Sequence, residues 1–184
     1  MAARRTRRAR KGFSLAETLV AVLILGLLSS AAALGVSQAL WQRNKSIALA
    51  DAQTVASTAA QIVTDQIRYG RIASVESDGA MILASGVYQT PVCISLDEDG
   101  YLTTQGVTAT NGGGLSRGRA YALLGLDAYC GLHLSDLAFT LHESGDTVES
   151  VDVKLSVAQA GETQSLWDLE FSVAPVNPQR FTVE

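Results

Sequence analysis

The chain has 184 residues, 47% of them hydrophobic and 17% charged, with a formal net charge of −4, two cysteines and two histidines. That balance hides an asymmetry: residues 1–12 hold six basic side chains and no acid, leaving eight basic against 18 acidic side chains, a net of −10, over the remainder. Basic arms bind phosphates, but the leading arginines abut a hydrophobic segment, a context of membrane targeting rather than nucleic-acid binding.

After Lys11, Gly12 and Phe13 comes an apolar stretch with one acidic residue, Glu17, near its start. From Thr18 to Val36 no residue carries a formal charge. A helix of that length rises about 29 Å, close to the hydrocarbon thickness of a bilayer. Its apolar character runs all round rather than along one stripe, as in a membrane span. Arginines before such a helix keep the first dozen residues in the cytoplasm and send the rest across. A carboxylate in this setting costs roughly 2.5 to 3.5 kcal/mol at mid-bilayer, so it needs a partner or a purpose.

Three fates of the segment differ in the mature protein they leave. An ordinary secretory signal could be cut at Ala31-Ala32-Ala33, but its core has no use for Glu17. Arg7-Arg8 lacks the apolar pair that a twin-arginine signal expects. A plain uncleaved anchor explains length and orientation and leaves Glu17 without a role. The third fate rests on the string Lys11-Gly12-Phe13-Ser14-Leu15-Ala16-Glu17-Thr18-Leu19, which resembles the processing site of bacterial type IV prepilins, including the pseudopilins of type II secretion and competence systems.

The resemblance implies that a membrane prepilin peptidase/methylase cuts after Gly12 and methylates the new amine of Phe13. It also implies that Glu17 neutralises the amine of a neighbouring subunit during assembly on an inner-membrane platform. The physical logic stands independently: opposite charges that are each costly in lipid become tolerable when paired and hydrogen-bonded. One departure is visible. Many pilins carry a proline late in the apolar segment, where this chain has Leu34, Gly35 and Val36.

Beyond the span, Ala48, Ala52, Val55, Ala59, Ile62, Val63 and Ile67 recur at spacings of three and four, an amphipathic pattern. No proline precedes Pro91 and Gly70 is a natural stop, so the spacing predicts one helix from about Ser14 to Tyr69. A solitary coiled coil is the alternative, although the stripe is short and poor in leucine. The expected division is a leader at 1–12, a membrane and assembly helix at 13–36, its amphipathic continuation at 37–70, and a head at 71–184.

Past Gly70 the runs alternate, and the head reads as strands. Val151 to Val157 and Trp167 to Val173 form a hairpin with one dry face, turning at Ala160 to Thr163. Leu137, Phe139 and Leu141 mark a preceding strand, with earlier ones at Met81 to Leu83 and Val92 to Leu96; Pro175 and Pro178 end the sheet. Gly112 to Gly114 reads as a loop, while Ala120 to Leu126 fits a buried strand or a helical turn. The expected class is α+β, a long helix packed on an antiparallel sheet, and the resemblance implies the same architecture. The alanine-rich helix and irregular head point to a minor subunit.

Cys93 and Cys130 would share an oxidising compartment if the head is exported, and an even count permits one bridge worth about 3 to 4 kcal/mol. Two separate buried thiols are the alternative. His133 and His142 sit in strand-like context without metal or nucleophile spacing. Asp97-Glu98-Asp99-Gly100 lacks the ligand register of an EF-hand and reads as a solvated hairpin tip. No catalytic residue, metal site or cofactor is expected. The functional expectation is a structural subunit of a pilus or pseudopilus, against a secreted or membrane-anchored binding domain and, further behind, an envelope enzyme.

Overall fold

The computed structural model describes residues 14–84, 91–110, 114–162 and 164–183; Gly12, Phe13 and the Gly112-Gly113 pair lie outside them. The chain divides into two compact units, Met1–Ser46 and Ile47–Glu184. One helix, α1 (Leu15–Tyr69), contributes to both. The expected helix is therefore present, and the second unit takes its residues from Ile47 onward.

In the first unit every described residue is exposed, including Leu19, Leu23 and Leu27 at 63%, 59% and 63%. This part of α1 is long and apolar enough to cross a membrane. Its hydroxyls do not break the pattern. Thr18 Oγ1 donates to the Leu15 carbonyl at 2.8 Å, and Ser30 Oγ to those of Leu27 and Gly26 at 2.9 and 3.1 Å. Thr18 and Ser30 are thus satisfied within the helix, as hydrocarbon requires.

In the second unit α1 buries one stripe, Ala52, Val55, Ala56, Ala59, Val63 and Ile67. These side chains join a core shared with two antiparallel sheets. The first sheet has the order β1 (Arg71–Val75), β2 (Met81–Ala84), β3 (Pro91–Leu96), β4 (Leu102–Ala109) and β5 (Leu115–Ala122). The second is β6 (Leu132–Ser144), β7 (Thr147–Gln159) and β8 (Ser165–Val173). A single sheet was the expectation; the short 3-10 helix Leu126–Tyr129 interrupts the meander between β5 and β6 and starts the second sheet.

The dry faces follow the pleat, since alternate residues of a strand share one side. Val151, Val153, Leu155 and Val157 on the central strand β7 are fully buried, while Asp152 and Lys154 point outward and pair with Ser172 and Glu170 of β8. In the first sheet Met81, Leu83, Val92 and Ile94 enter the main core. Their alternates Ile82 and Cys93 turn to the opposite face and form a second, smaller cluster with Ala73, Ala80 and Val107. Strand β5 is exposed along its whole length, so Ala120 to Ala122 is an open edge strand rather than a buried one, and the helical turn lies further on.

Tyr129 ties the 3-10 turn to the first sheet: it is buried, its hydroxyl accepts the Leu102 amide at 2.7 Å, and its ring meets Tyr101 edge-on at 4.8 Å. The β3–β4 hairpin tip reaches the second sheet, where the Gly100 carbonyl accepts the Leu134 amide at 2.9 Å. Gly100 has φ +78°, and a Cβ there would stand 2.5 Å from the Leu134 carbonyl oxygen. Gly145 also has positive φ, at +64°, but nothing lies within 4 Å of its Cβ position. Gly100→Ala is expected to destabilise the head by at least about 1 kcal/mol more than Gly145→Ala, since only the former adds a clash to the left-handed strain. Denaturant unfolding of the two variants checks this, and equal midpoints would contradict it.

Candidate functional site

The start of α1 is built by Ser14 and Glu17. Ser14 precedes the first helical residue, its carbonyl accepts the Thr18 amide at 3.2 Å, and its hydroxyl accepts the Glu17 amide at 3.3 Å. Glu17 replies: Oε2 accepts the Ser14 amide at 3.0 Å and the Ser14 hydroxyl at 3.2 Å. Ser-x-x-Glu in this arrangement is a reciprocal capping box, which satisfies backbone amides that no helical carbonyl can reach. The carboxylate also sits in the first turn, where the helix dipole favours negative charge. Sequence reasoning assigned Glu17 only an intermolecular task, although Ser14-Leu15-Ala16-Glu17 spells the cap. Both hydrogen bonds that the carboxylate accepts in the cap fall on Oε2.

The two cysteines are free thiols and differ in setting. Cys93 is buried in the small cluster on the face of the first sheet turned away from the helix. Cys130 is exposed at the end of the 3-10 turn, with φ 53°, next to Tyr129 of the main core. The structure holds no bridge between them, and the pleat turns Cys93 away from the core that Tyr129 enters. Burial pushes the Cys93 thiol up, with Asp78 adding to the effect and Arg117 opposing it. A thiol so placed is a poor nucleophile.

The chain end closes that face. After β8, the Val176 amide donates to the Arg68 carbonyl at 2.8 Å and the Pro178 carbonyl accepts the Val148 amide at 2.7 Å. The Phe181 amide then bonds the Ile72 carbonyl on the outer edge of β1 at 3.0 Å. The Arg180 guanidinium reaches the Ala73 carbonyl at 2.8 Å, and Arg71 stacks over the Phe181 ring at 5.6 Å. Phe181 and Val183 pack on the cluster that contains Cys93. Pro175 and Pro178 thus end the sheet as the sequence predicts, yet the tail they begin is a strap. Its signal, two apolar residues after two prolines, is too short to read from sequence.

The remaining candidates are structural. His133 and His142 both lie on β6, and His142 Nε2 meets Asp152 Oδ2 at 2.6 Å on an exposed face. Asp97 Oδ1 accepts the amides of Asp99 and Tyr101 at 3.1 and 2.7 Å, holding a hairpin tip. Among the described residues no group of three His, Cys, Asp or Glu side chains could hold a metal. The Arg117 guanidinium beside Asp78, at 2.6 Å, holds that carboxyl below its usual range.

At the N-terminus, residues 7–33 match the prokaryotic N-terminal methylation motif. This match covers the Lys11 to Leu19 string and most of the exposed apolar helix. The N-terminal segment is that of a type IV prepilin-like protein. The motif supports a type IV pilin-like substrate of prepilin peptidase, and the helix it opens is long and apolar enough to cross a membrane. No curated protein and no solved structure matches the chain. Gly12 and Phe13, where this prepilin-like segment would be cut and methylated, lie outside the described residues.

Two expectations follow from the head. With Cys130→Ser as background, truncation after Asn177 is expected to raise the rate at which a thiol reagent modifies Cys93 by at least tenfold, because Phe181 and Val183 no longer cover its cluster; an unchanged rate would show that the strap does not protect it. The Arg117–Asp78 pair is exposed, so its contribution is small, and its sign is fixed by the lowered carboxyl: present above the ordinary carboxylate range, lost as pH falls through the lowered value. In Arg117→Met, an NMR titration should find Asp78 moved up toward the ordinary range.

Proposed function

We propose that the chain is a structural subunit of a type IV pilus or of a type II secretion or competence pseudopilus. The leader 1–12 stays in the cytoplasm until prepilin peptidase cuts after Gly12 and methylates Phe13. The apolar part of α1 then holds the subunit in the bilayer, with the head on the far side of the membrane. Assembly on the inner-membrane platform transfers that helix from lipid to contacts with other pilin or pseudopilin subunits. The alanine-rich stripe and irregular head fit a minor subunit. It acts by packing, not by catalysis.

The observation that carries this reading is Glu17, capping the first turn of an exposed apolar helix inside the methylation motif. The cap relieves two backbone donors but leaves the negative charge in place. Cleavage after Gly12 creates a cation one residue before the cap of each subunit. That amine on a neighbour has the sign to neutralise Glu17, and Oε1 can receive it while Oε2 keeps the cap. Pairing and hydrogen bonding together make both ions tolerable in a low-dielectric bundle.

Two substitutions separate the cap from the charge. Gln at the third helical position still completes a capping box, whereas Ala does not. If charge pairing drives assembly, Glu17→Gln and Glu17→Ala should each lower the amount of subunit in sheared filaments by at least tenfold. Membrane insertion and the mass of the processed N-terminus should stay as in the parent. Parental incorporation of Glu17→Gln would overturn the pairing and leave Glu17 as a cap alone.

A further inference from the structure

A second polar feature interrupts the exposed helix at its other end. Residues 18–50 contain no acid, and their two basic residues, Arg43 and Lys45, come directly after Trp41. Leu40 and Trp41 are 52% and 64% exposed, continuous with the apolar surface before them. The Lys45 ammonium lies 5.5 Å from the centroid of the Trp41 ring. Among the described residues no ion pair engages Arg43 or Lys45.

We propose that Trp41, Arg43 and Lys45 form a collar that docks α1 on anionic phospholipid headgroups at the membrane face opposite the leader. The inference rests on the membrane-spanning reading above and adds a lipid class and a depth to it. Indole sits at bilayer interfaces because its body is apolar and its N–H is wet. The Lys45 ammonium stands over the face of that ring, and a long lysine stem carries such a charge out to headgroup level. Anionic headgroups attract such basic residues near the surface.

The helix rise fixes the register. Trp41 stands about 36 Å beyond Glu17, more than the roughly 30 Å of hydrocarbon and less than the 40–45 Å that includes both headgroup regions. With the collar at one rim, Glu17 and its cap sit at the other. The unassembled subunit therefore keeps its carboxylate out of the bilayer centre. Movement of the helix outward lifts the collar from its lipids and draws Glu17 into hydrocarbon, where only a paired charge is stable. An acidic head of a neighbouring copy also complements Arg43 and Lys45 in charge; the bilayer rim adds to that complement a continuous apolar layer for Leu40 and Trp41.

The chain has two tryptophans, so Trp167→Phe leaves Trp41 as the sole indole reporter. Full-length Trp167→Phe is reconstituted into phosphatidylcholine vesicles with and without phosphatidylglycerol, using lipids brominated near the headgroup or deep in the acyl chain. Shallow bromine should quench Trp41 at least twofold more than deep bromine. Phosphatidylglycerol should strengthen that quenching, and Arg43→Gln with Lys45→Gln should remove the gain. Stronger quenching by deep bromine, or quenching indifferent to phosphatidylglycerol, would overturn the collar while leaving the span intact. Protection of Trp41 from aqueous iodide that follows protein rather than lipid concentration would assign the surface to a neighbouring subunit and also overturn it. Failure of the protein to enter vesicles at all would defeat the membrane reading itself.

Discussion

A carboxylate cannot be carried into hydrocarbon alone, and Glu17 stands where the chain turns from a basic leader into membrane-length apolar helix. The cost of burying such a charge, several kcal/mol after relaxation, exceeds what one hydrogen bond returns. The structure relieves part of it locally. Ser14 and Glu17 close the first turn on each other, so the carboxylate serves the helix that carries it. The negative charge that remains is the lever on which assembly acts in the proposed function. A subunit whose helix starts with an unmet charge is tolerable at a bilayer rim and stable at depth only beside a neighbour's cation.

The same helix solves two different solvation problems along its length. From Thr18 to Val36 its side chains face outward, carry no formal charge and are predominantly apolar on every side, matching a surrounding of lipid or of other such helices. From Ile47 one alanine- and valine-rich stripe is buried and the other faces are polar, matching a head on one side and water on the other. Small side chains on that stripe let two sheets share one core with the helix. The second cluster, with Cys93, needs its own cover, and the strap of Arg180 and Phe181 supplies it. The head is thus closed by its two ends: the helix before β1 and the tail after β8.

How much of this was legible depends on whether the signal is periodic. The helix and the β6–β7–β8 sheet were readable because apolar residues recur at 3.6 or 2 over long stretches, as in Ala52 to Ile67 and Val151 to Val157. The methylation segment was readable because its residues are consecutive. What was not legible depends on residues far apart in sequence. Whether Cys93 and Cys130 share a face is decided by pleat direction and by the 3-10 turn before Cys130, neither of which has a composition signal. Arg117 and Asp78, or Phe181 and Ile72, meet only after the sheet has formed. The capping box at Ser14 was present in the sequence, but Glu17 already had a role there that hid a local one.

The account's central claim is that the leader is removed at Gly12 so that a new amine can meet Glu17. Intact-mass and terminal-peptide mass spectrometry of the protein from membranes of cells with a working prepilin peptidase reads this directly. The account expects a mature chain beginning at N-methylated Phe13. A chain that retains Met1 to Gly12, or one that begins at Leu34, would contradict it.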